Sequence, residues 1–275
     1  MLSMKEAIEN YVEGCVGKVD CPAYKLFMKA ILAGMMIAFG AAGSSVAAHD
    51  IANVGIARLV AGVVFPMGLM MVVMTGAELF TGDCLAIMAT VQKKHTAFKL
   101  IRMLVVVYFG NLLGSLMLTC IDYVSGQYNY SSGILGAYTI KVALGKCNLD
   151  FTTALASGIL CNIFVCGAVL MATAAKDVTG KIFACFFPIL VFVVSGFEHC
   201  VANMYYIPAG IFASMNPDYV AKAKELYGIT GSQIAALNWG NFFTVNLLPV
   251  TIGNIIGGGF IIGGLFFYLH GKNCK

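Results

Sequence analysis

Six apolar runs, at about residues 26–48, 59–92, 99–121, 151–174, 181–214 and 241–269, are separated by short polar links. An α-helix rises 1.5 Å per residue, so about 20 apolar residues cross a hydrocarbon core of roughly 30 Å, and every run qualifies. The pattern predicts an all-α integral membrane protein with six transmembrane helices, a single domain over 1–275. Runs two and five are about 34 residues long, which as unbroken helices would reach roughly 50 Å. Both carry polar and ionisable residues at their centres, Glu78 to Asp83 in one and Glu198 to Asn203 in the other. Irregular backbone at membrane depth is tolerated only where protein buries it or it lines a cavity. Helices 2 and 5 are therefore expected to break at the midplane into half-helices.

The two halves answer each other. Gly76-Ala77-Glu78 matches Gly196-Phe197-Glu198 at an offset of 120, and Gly110-Asn111-Leu112-Leu113-Gly114 matches Gly253-Asn254-Ile255-Ile256-Gly257 at an offset of 143. The extra 23 residues fit the polar 217–240 stretch. Three crossings per half invert the second half, which predicts a 3+3 inverted repeat of about 26–121 and 151–269 with a site between paired broken helices. Residues 1–25 hold Lys5, Glu6, Glu9, Glu13, Lys18 and Asp20 and no apolar core of signal-peptide length, so an amphipathic, water-facing, uncleaved segment is expected.

Charge sets the orientation, because cytoplasmic segments retain an excess of Lys and Arg. Lys5, Lys18, Lys25, Lys93, Lys94, Lys99, Arg102, Lys176, Lys181, Lys272 and Lys275 fall on one side, against Arg58, Lys141, Lys146, Lys222 and Lys224 on the other. Eleven against five places both termini in the cytoplasm of a multi-pass cell-membrane protein. Composition agrees: 60% of residues are hydrophobic and 11% charged, where a soluble domain carries about 25% charged residues. The net charge of +4 forms no stripe that would track nucleic acid. Ten cysteines include no CxxC pair, so packing is expected of them rather than metal or redox chemistry. No cofactor is implied.

The motifs Gly76-Ala77-Glu78-Leu79-Phe80-Thr81, Gly196-Phe197-Glu198-His199 with Ala202-Asn203-Met204 and Ile207-Pro208, and Asn246-Leu247-Leu248-Pro249-Val250-Thr251-Ile252-Gly253-Asn254 cover both breaks and run six. In these motifs the chain resembles the formate/nitrite transporters, a family that includes hydrosulfide channels and lactate transporters. The resemblance implies an aquaporin-like protomer, assembly as a homopentamer with one pore per protomer, and small-anion transport through the lipid bilayer. It further implies His199 as the central pore histidine, Thr81 opposite it in a mobile loop, and Lys146 as a vestibule cation. The narrow points it implies are Phe65 and Leu69 towards the cytoplasm, and Leu79, Phe80 and Phe192 towards the outside.

Physical readings of these residues stand beside the resemblance. His199 is expected at the C-terminal end of the first half of helix 5, where partial negative charge favours imidazolium and burial opposes it. Glu78 and Glu198 would repel anions if bare, so loop amides or protonation are expected to neutralise them. Asp83 and Asn203 are expected as N-caps of the second half-helices. Thr81 faces either the lumen or the following amides. Lys146 snorkels to headgroups or faces a vestibule, and Asn254 either donates to the lumen or packs between helices. Lys29 is expected to snorkel, and His49, His95 and His270 to be solvated at helix ends.

An apolar constriction rejects bare anions, so a small weak acid is expected to cross as the neutral acid after transient protonation by His199 or water. The expected activity is passive or proton-coupled, pH-dependent transport of a small monovalent anion, with formate first and nitrite or hydrosulfide as other substrates. A water or neutral-solute channel is the alternative, although paired Asn-Pro-Ala boxes are absent. A metalloenzyme using Glu78, Asp83, Glu198 and His199 is the remote one; it lacks an HExxH motif, and neither a bound metal nor catalysis is expected.

Overall fold

The computed structural model describes residues 1–270, all of whose regular elements are helical. Lys272, Cys274 and Lys275 lie outside the described residues. In chain order the elements are α1 (Met4–Val19), α2 (Ala23–Ala48), α3 (Val54–Val64), α4 (Met67–Thr75), α5 (Phe80–Asp83), α6 (Ile87–Val91), α7 (Ala97–Ser125) and α8 (Tyr130–Cys147). Then come α9 (Phe151–Ala174), α10 (Val178–Ser195), α11 (Cys200–Ala213), α12 (Pro217–Tyr227) and α13 (Gly231–Ala236). The last run, Trp239–His270, alternates α14 (Trp239–Asn241), α15 (Leu248–Asn254) and α16 (Gly264–His270) with π-helical stretches Phe242–Leu247 and Ile255–Gly263. Six helices are long and apolar enough to cross a membrane: Ala23–Ala48, Val54–Thr75, Ala97–Ser125, Phe151–Ala174, Val178–Ser195 and Trp239–His270.

Two glycines end the helices before the polar centres. Gly76 and Gly196 take left-handed φ of 69° and 73°, a conformation that costs a Cβ-bearing residue energy and stops a helix. Three residues without regular structure follow each, the last of them, Leu79 and His199, extended, and the chain resumes as α5 and α11. The GNLLG and GNIIG segments pack their glycines against the first helix of their own half. A Cβ on Gly114 would lie 2.0 Å from the Ile31 carbonyl oxygen, and one on Gly257 would lie 2.2 Å from that of Ile159. Only glycine allows this backbone contact, which draws α2 to α7 and α9 to the last run.

Two sequence expectations need correction. The N-terminal segment is not simply water-facing: Ala7, Ile8, Tyr11, Val12, Cys15 and Val19 of α1 are buried against the bundle. Alternation of these residues with Lys5, Glu6, Glu9 and Glu13 gives a helix one apolar face, and the bundle covers that face. The connection between the third and fourth crossings contains α8, entered through a left-handed turn at Ser131, Ser132 and Gly133. Its two lysines and three glycines lower its apolarity below that of a crossing, yet it packs on α11 and α12 and presents Lys146 at its C-terminal end.

Candidate functional site

One asparagine in each half ties the interrupted backbone down. Asn111 accepts the Phe80 N–H at 2.9 Å and donates to the carbonyls of Ala30 and Glu78 at 2.8 and 3.0 Å. Asn254 accepts the Cys200 N–H at 2.9 Å and donates to the carbonyls of Gly158 and Glu198 at 2.7 and 3.0 Å. A side-chain amide has one acceptor and two donor protons, and all are used in both places. Both residues have zero exposure, so Asn254 does not offer its amide to a lumen; its donors are consumed by the carbonyls of Glu198, in the helix break, and Gly158, inside α9.

Each half also pairs its glutamate with a lysine, where loop amides or protonation were expected. Lys146 Nζ lies 2.8 Å from Glu198 Oε1, and Glu198 Oε2 accepts from the amides of Asn203 and Asn246 at 2.6 and 3.1 Å. Lys18, from α1, lies 2.6 Å from Glu78 Oε2 and 2.7 Å from Asp83 Oδ1, while half-exposed Lys29 lies 3.7 Å from Glu78 Oε1. Burial works against the Lys18 charge, but the carboxylates of Asp83 and Glu78 outweigh it and hold the ammonium above its ordinary value. Neither Asp83 nor Asn203 caps with its side chain: Asp83 ends α5 and precedes the 3-10 turn Cys84–Ala86 without a side-chain cap bond, Asn203 lies one turn inside α11, and both side chains belong to these ionic clusters.

The N-cap of α11 is His199, which corrects its expected place at the end of α10. Its Nδ1 accepts the Ala202 N–H at 3.0 Å. An amide only donates, so Nδ1 carries no proton and the ring is neutral with its proton on Nε2. That Nε2 lies 2.8 Å from Thr81 Oγ1. The ring therefore donates to the threonine oxygen, which leaves the threonine hydroxyl proton free. The Thr81 carbonyl is fixed by Asn162 Nδ2 at 3.1 Å and Cys166 Sγ at 3.2 Å. Thr81 itself is wholly buried.

Two cavities flank this contact. One, of about 140 Å³, is lined by Phe65, Phe192, His199, Asn203, Tyr206 and Lys146. The other, of about 180 Å³, is lined by Tyr11, Lys18, Leu69, Glu78, Leu79 and Asp83. Phe65 lines the first and Leu69, one helical turn on, lines the second, so the linings of the two cavities come within about 6 Å of one another along this helix. This regroups the expected constrictions. Phe65 sits with Phe192, ring centroids 5.6 Å apart, and Leu69 sits with Leu79. Phe80 lines neither cavity and packs its ring on Tyr108 at 4.9 Å. Tyr11 closes the second cavity by donating to the Gly82 carbonyl at 2.9 Å. Among the described residues, no three of His, Cys, Asp and Glu converge to hold a metal ion.

Asn162, Tyr11 and Ser157, which accepts the Glu198 N–H at 3.0 Å, escaped the sequence reading, and Asn246 and Lys18 were noted there only in a motif and in the charge count, with no site role. A polar residue inside an apolar run is the signal that marks Asn162; nothing local marks the two in α1.

The chain is similar to known proteins along most of its length. The family model described as formate/nitrite transporter matches residues 5–268. The formate channel FocA of Haemophilus influenzae is 40% identical over 272 residues, covering 98% of this chain and 94% of that protein. FocA of Escherichia coli K12 is 36% identical over 264 residues, covering 94% and 90%. A solved pentameric formate channel with formate bound superposes with a TM-score of 0.82 at 38% identity, covering 91% of this chain and 98% of that one. These relatives are channels and transporters, not enzymes. With the match running through both breaks and all six crossings, the chain belongs to the formate/nitrite transporter family.

Proposed function

We propose that the protein carries formate across the cell membrane, moving the anion from one cavity to the other as the neutral acid, with both termini cytoplasmic. The observation that carries this reading is the Thr81–His199 bond, a pair of neutral donors buried between two cavities. The Lys146 ammonium is matched by the Glu198 carboxylate, so the first cavity supplies hydrogen bonds without a large net charge. A bare anion passing the Phe65 and Phe192 rings would lose its hydration at a cost of many kcal/mol. Formic acid does not incur that cost. His199 cannot supply the proton without becoming an imidazolate, because Nδ1 is already an acceptor; formate takes its proton from hydronium in the solvent on the Lys146 side and returns it to solvent on the other. Thr81 and Nε2–H then separate to bind the acid oxygens in turn. A homopentamer with one pore per protomer is the assembly supported by the pentameric relative.

Uptake of labelled formate into liposomes holding the purified protein, at pH 7 and pH 5 against empty liposomes, tests the reading. Protein-dependent uptake that is faster at pH 5 is expected. No uptake at either pH would remove formate and leave nitrite, hydrosulfide or a neutral solute to be tried in the same liposomes.

A further inference from the structure

The link between α6 and α7 bears a feature that transport does not use. Thr90, Lys93, Lys94, His95, Thr96, Ala97 and Lys99 line an open cavity of about 520 Å³ at the N-terminus of α7, a helix of 29 residues. Three ammonium groups, two hydroxyls and the first-turn amides of a long helix make a set of donors suited to an anion. His95, expected to be solvated, is only 8% exposed and borders this cavity, with its Nε2 enclosed behind the lining and without a hydrogen-bond partner. Its Nδ1 lies 3.3 Å from Thr90 Oγ1 and 3.4 Å from the Thr96 carbonyl. Lys93 adopts a left-handed φ of 58°, at a backbone cost that the rest of the link offsets. Lys99 is shared with Asp20 at 2.6 Å, whereas among the described residues Lys93 and Lys94 have no ion pair.

We propose that this cavity binds the phosphate of an anionic phospholipid. Phosphate would be recognised by the lysines and threonines; the choice of lipid follows from what surrounds them. Val91, Phe98 and Ile101 flank the cavity and are 57%, 76% and 60% exposed, a surface that acyl chains cover and that a soluble phosphate leaves bare. The cavity also sits at the boundary where a crossing helix begins, the depth of lipid headgroups.

The test is native mass spectrometry of the full-length assembly in mild detergent, titrated with phosphatidylglycerol, phosphatidylcholine or inorganic phosphate. Phosphatidylglycerol is expected to be retained over phosphatidylcholine. Lys93→Gln with Lys94→Gln should weaken that retention about twenty-five-fold, about fivefold per lysine near an anionic headgroup. Lys141→Gln, a basic position remote in sequence, should leave it unchanged. Should the double variant misassemble, either single substitution still reads out at about fivefold. Equal retention of both lipids, or undiminished phosphatidylglycerol binding in the lysine variants, overturns the proposal. Displacement of phosphatidylglycerol by millimolar inorganic phosphate also overturns it and reassigns the cavity to a soluble anion.

Discussion

His199 Nε2 and Thr81 Oγ1, 118 residues apart in sequence, lie 2.8 Å apart at the junction of the two halves. The pair exists because each half stops its helix with a left-handed glycine and restarts it a few residues on, and each half contributes one partner. Replacing His199 by alanine removes the cap of α11 and the bond to Thr81. The cap is worth about 1 kcal/mol. Loss of one neutral donor to substrate, about 1–1.5 kcal/mol, should cut formate uptake about tenfold. His199→Asn keeps a capping oxygen and an amide donor, so it should regain stability and part of the flux. Because solvent hydronium supplies the proton, uptake by the asparagine variant should still rise from pH 7 to pH 5. A flat profile in stopped-flow uptake would return protonation to the imidazole.

Lys146 serves Glu198 before it serves substrate. Lys146→Met leaves a carboxylate that is 6% exposed without its cation, and breaking a buried pair from one side costs about 3–5 kcal/mol. Adding Glu198→Gln removes the stranded charge and should recover most of the melting temperature. Formate uptake should stay depressed in both variants, since the ammonium donor is gone. Recovery of uptake together with stability would show that the lysine matters only to the fold.

Asn111 and Asn254 should respond alike. Asn111→Asp and Asn254→Asp each exchange the amide that feeds two carbonyls for a second acceptor. Each stranded buried group costs about 1–3 kcal/mol, so both variants should lose several kcal/mol and assemble poorly in size-exclusion chromatography. Marked tolerance of one but not the other would break the equivalence of the halves at this position.

These effects divide along the line of what a single chain reveals. The six crossings, the offset repeat and the helix breaks are legible because period, length and intramembrane charge act locally. GNLLG and GNIIG announce a close helix contact, although the sequence does not say that the asparagine bonds backbone at the helix break of its own half. Partners that come from elsewhere in the chain were hidden: nothing near Glu78 names Lys18, and nothing near Glu198 names Asn246. His199 was misplaced by one structural step. A break of three residues has two ends, and which end the histidine caps depends on where the helix resumes, a boundary that hydropathy does not resolve. Reassigning it from the end of α10 to the start of α11 replaces an imidazole poised between its charged and neutral forms by a neutral donor.

Lys18 extends the ionic logic to α1. Its folded-state value lies above that of an unfolded lysine, so the stabilisation it brings is complete below about pH 10.5 and is lost only as pH climbs through the higher folded value. Lys18→Met leaves Glu78 and Asp83, with side chains 4% and 3% exposed, facing one another with only the more distant Lys29 nearby. A loss of about 3–5 kcal/mol is expected. Lys18→Met combined with Asp83→Asn removes the repulsion and should recover more than half of it, because Glu78 keeps Lys29 at 3.7 Å. Thermal melts followed by intrinsic fluorescence would measure both variants. A single variant as stable as the parent would mean that α1 is held by its apolar face alone, with Ile8, Tyr11, Val12 and Cys15 carrying the attachment and the lysine merely lying beside the two carboxylates.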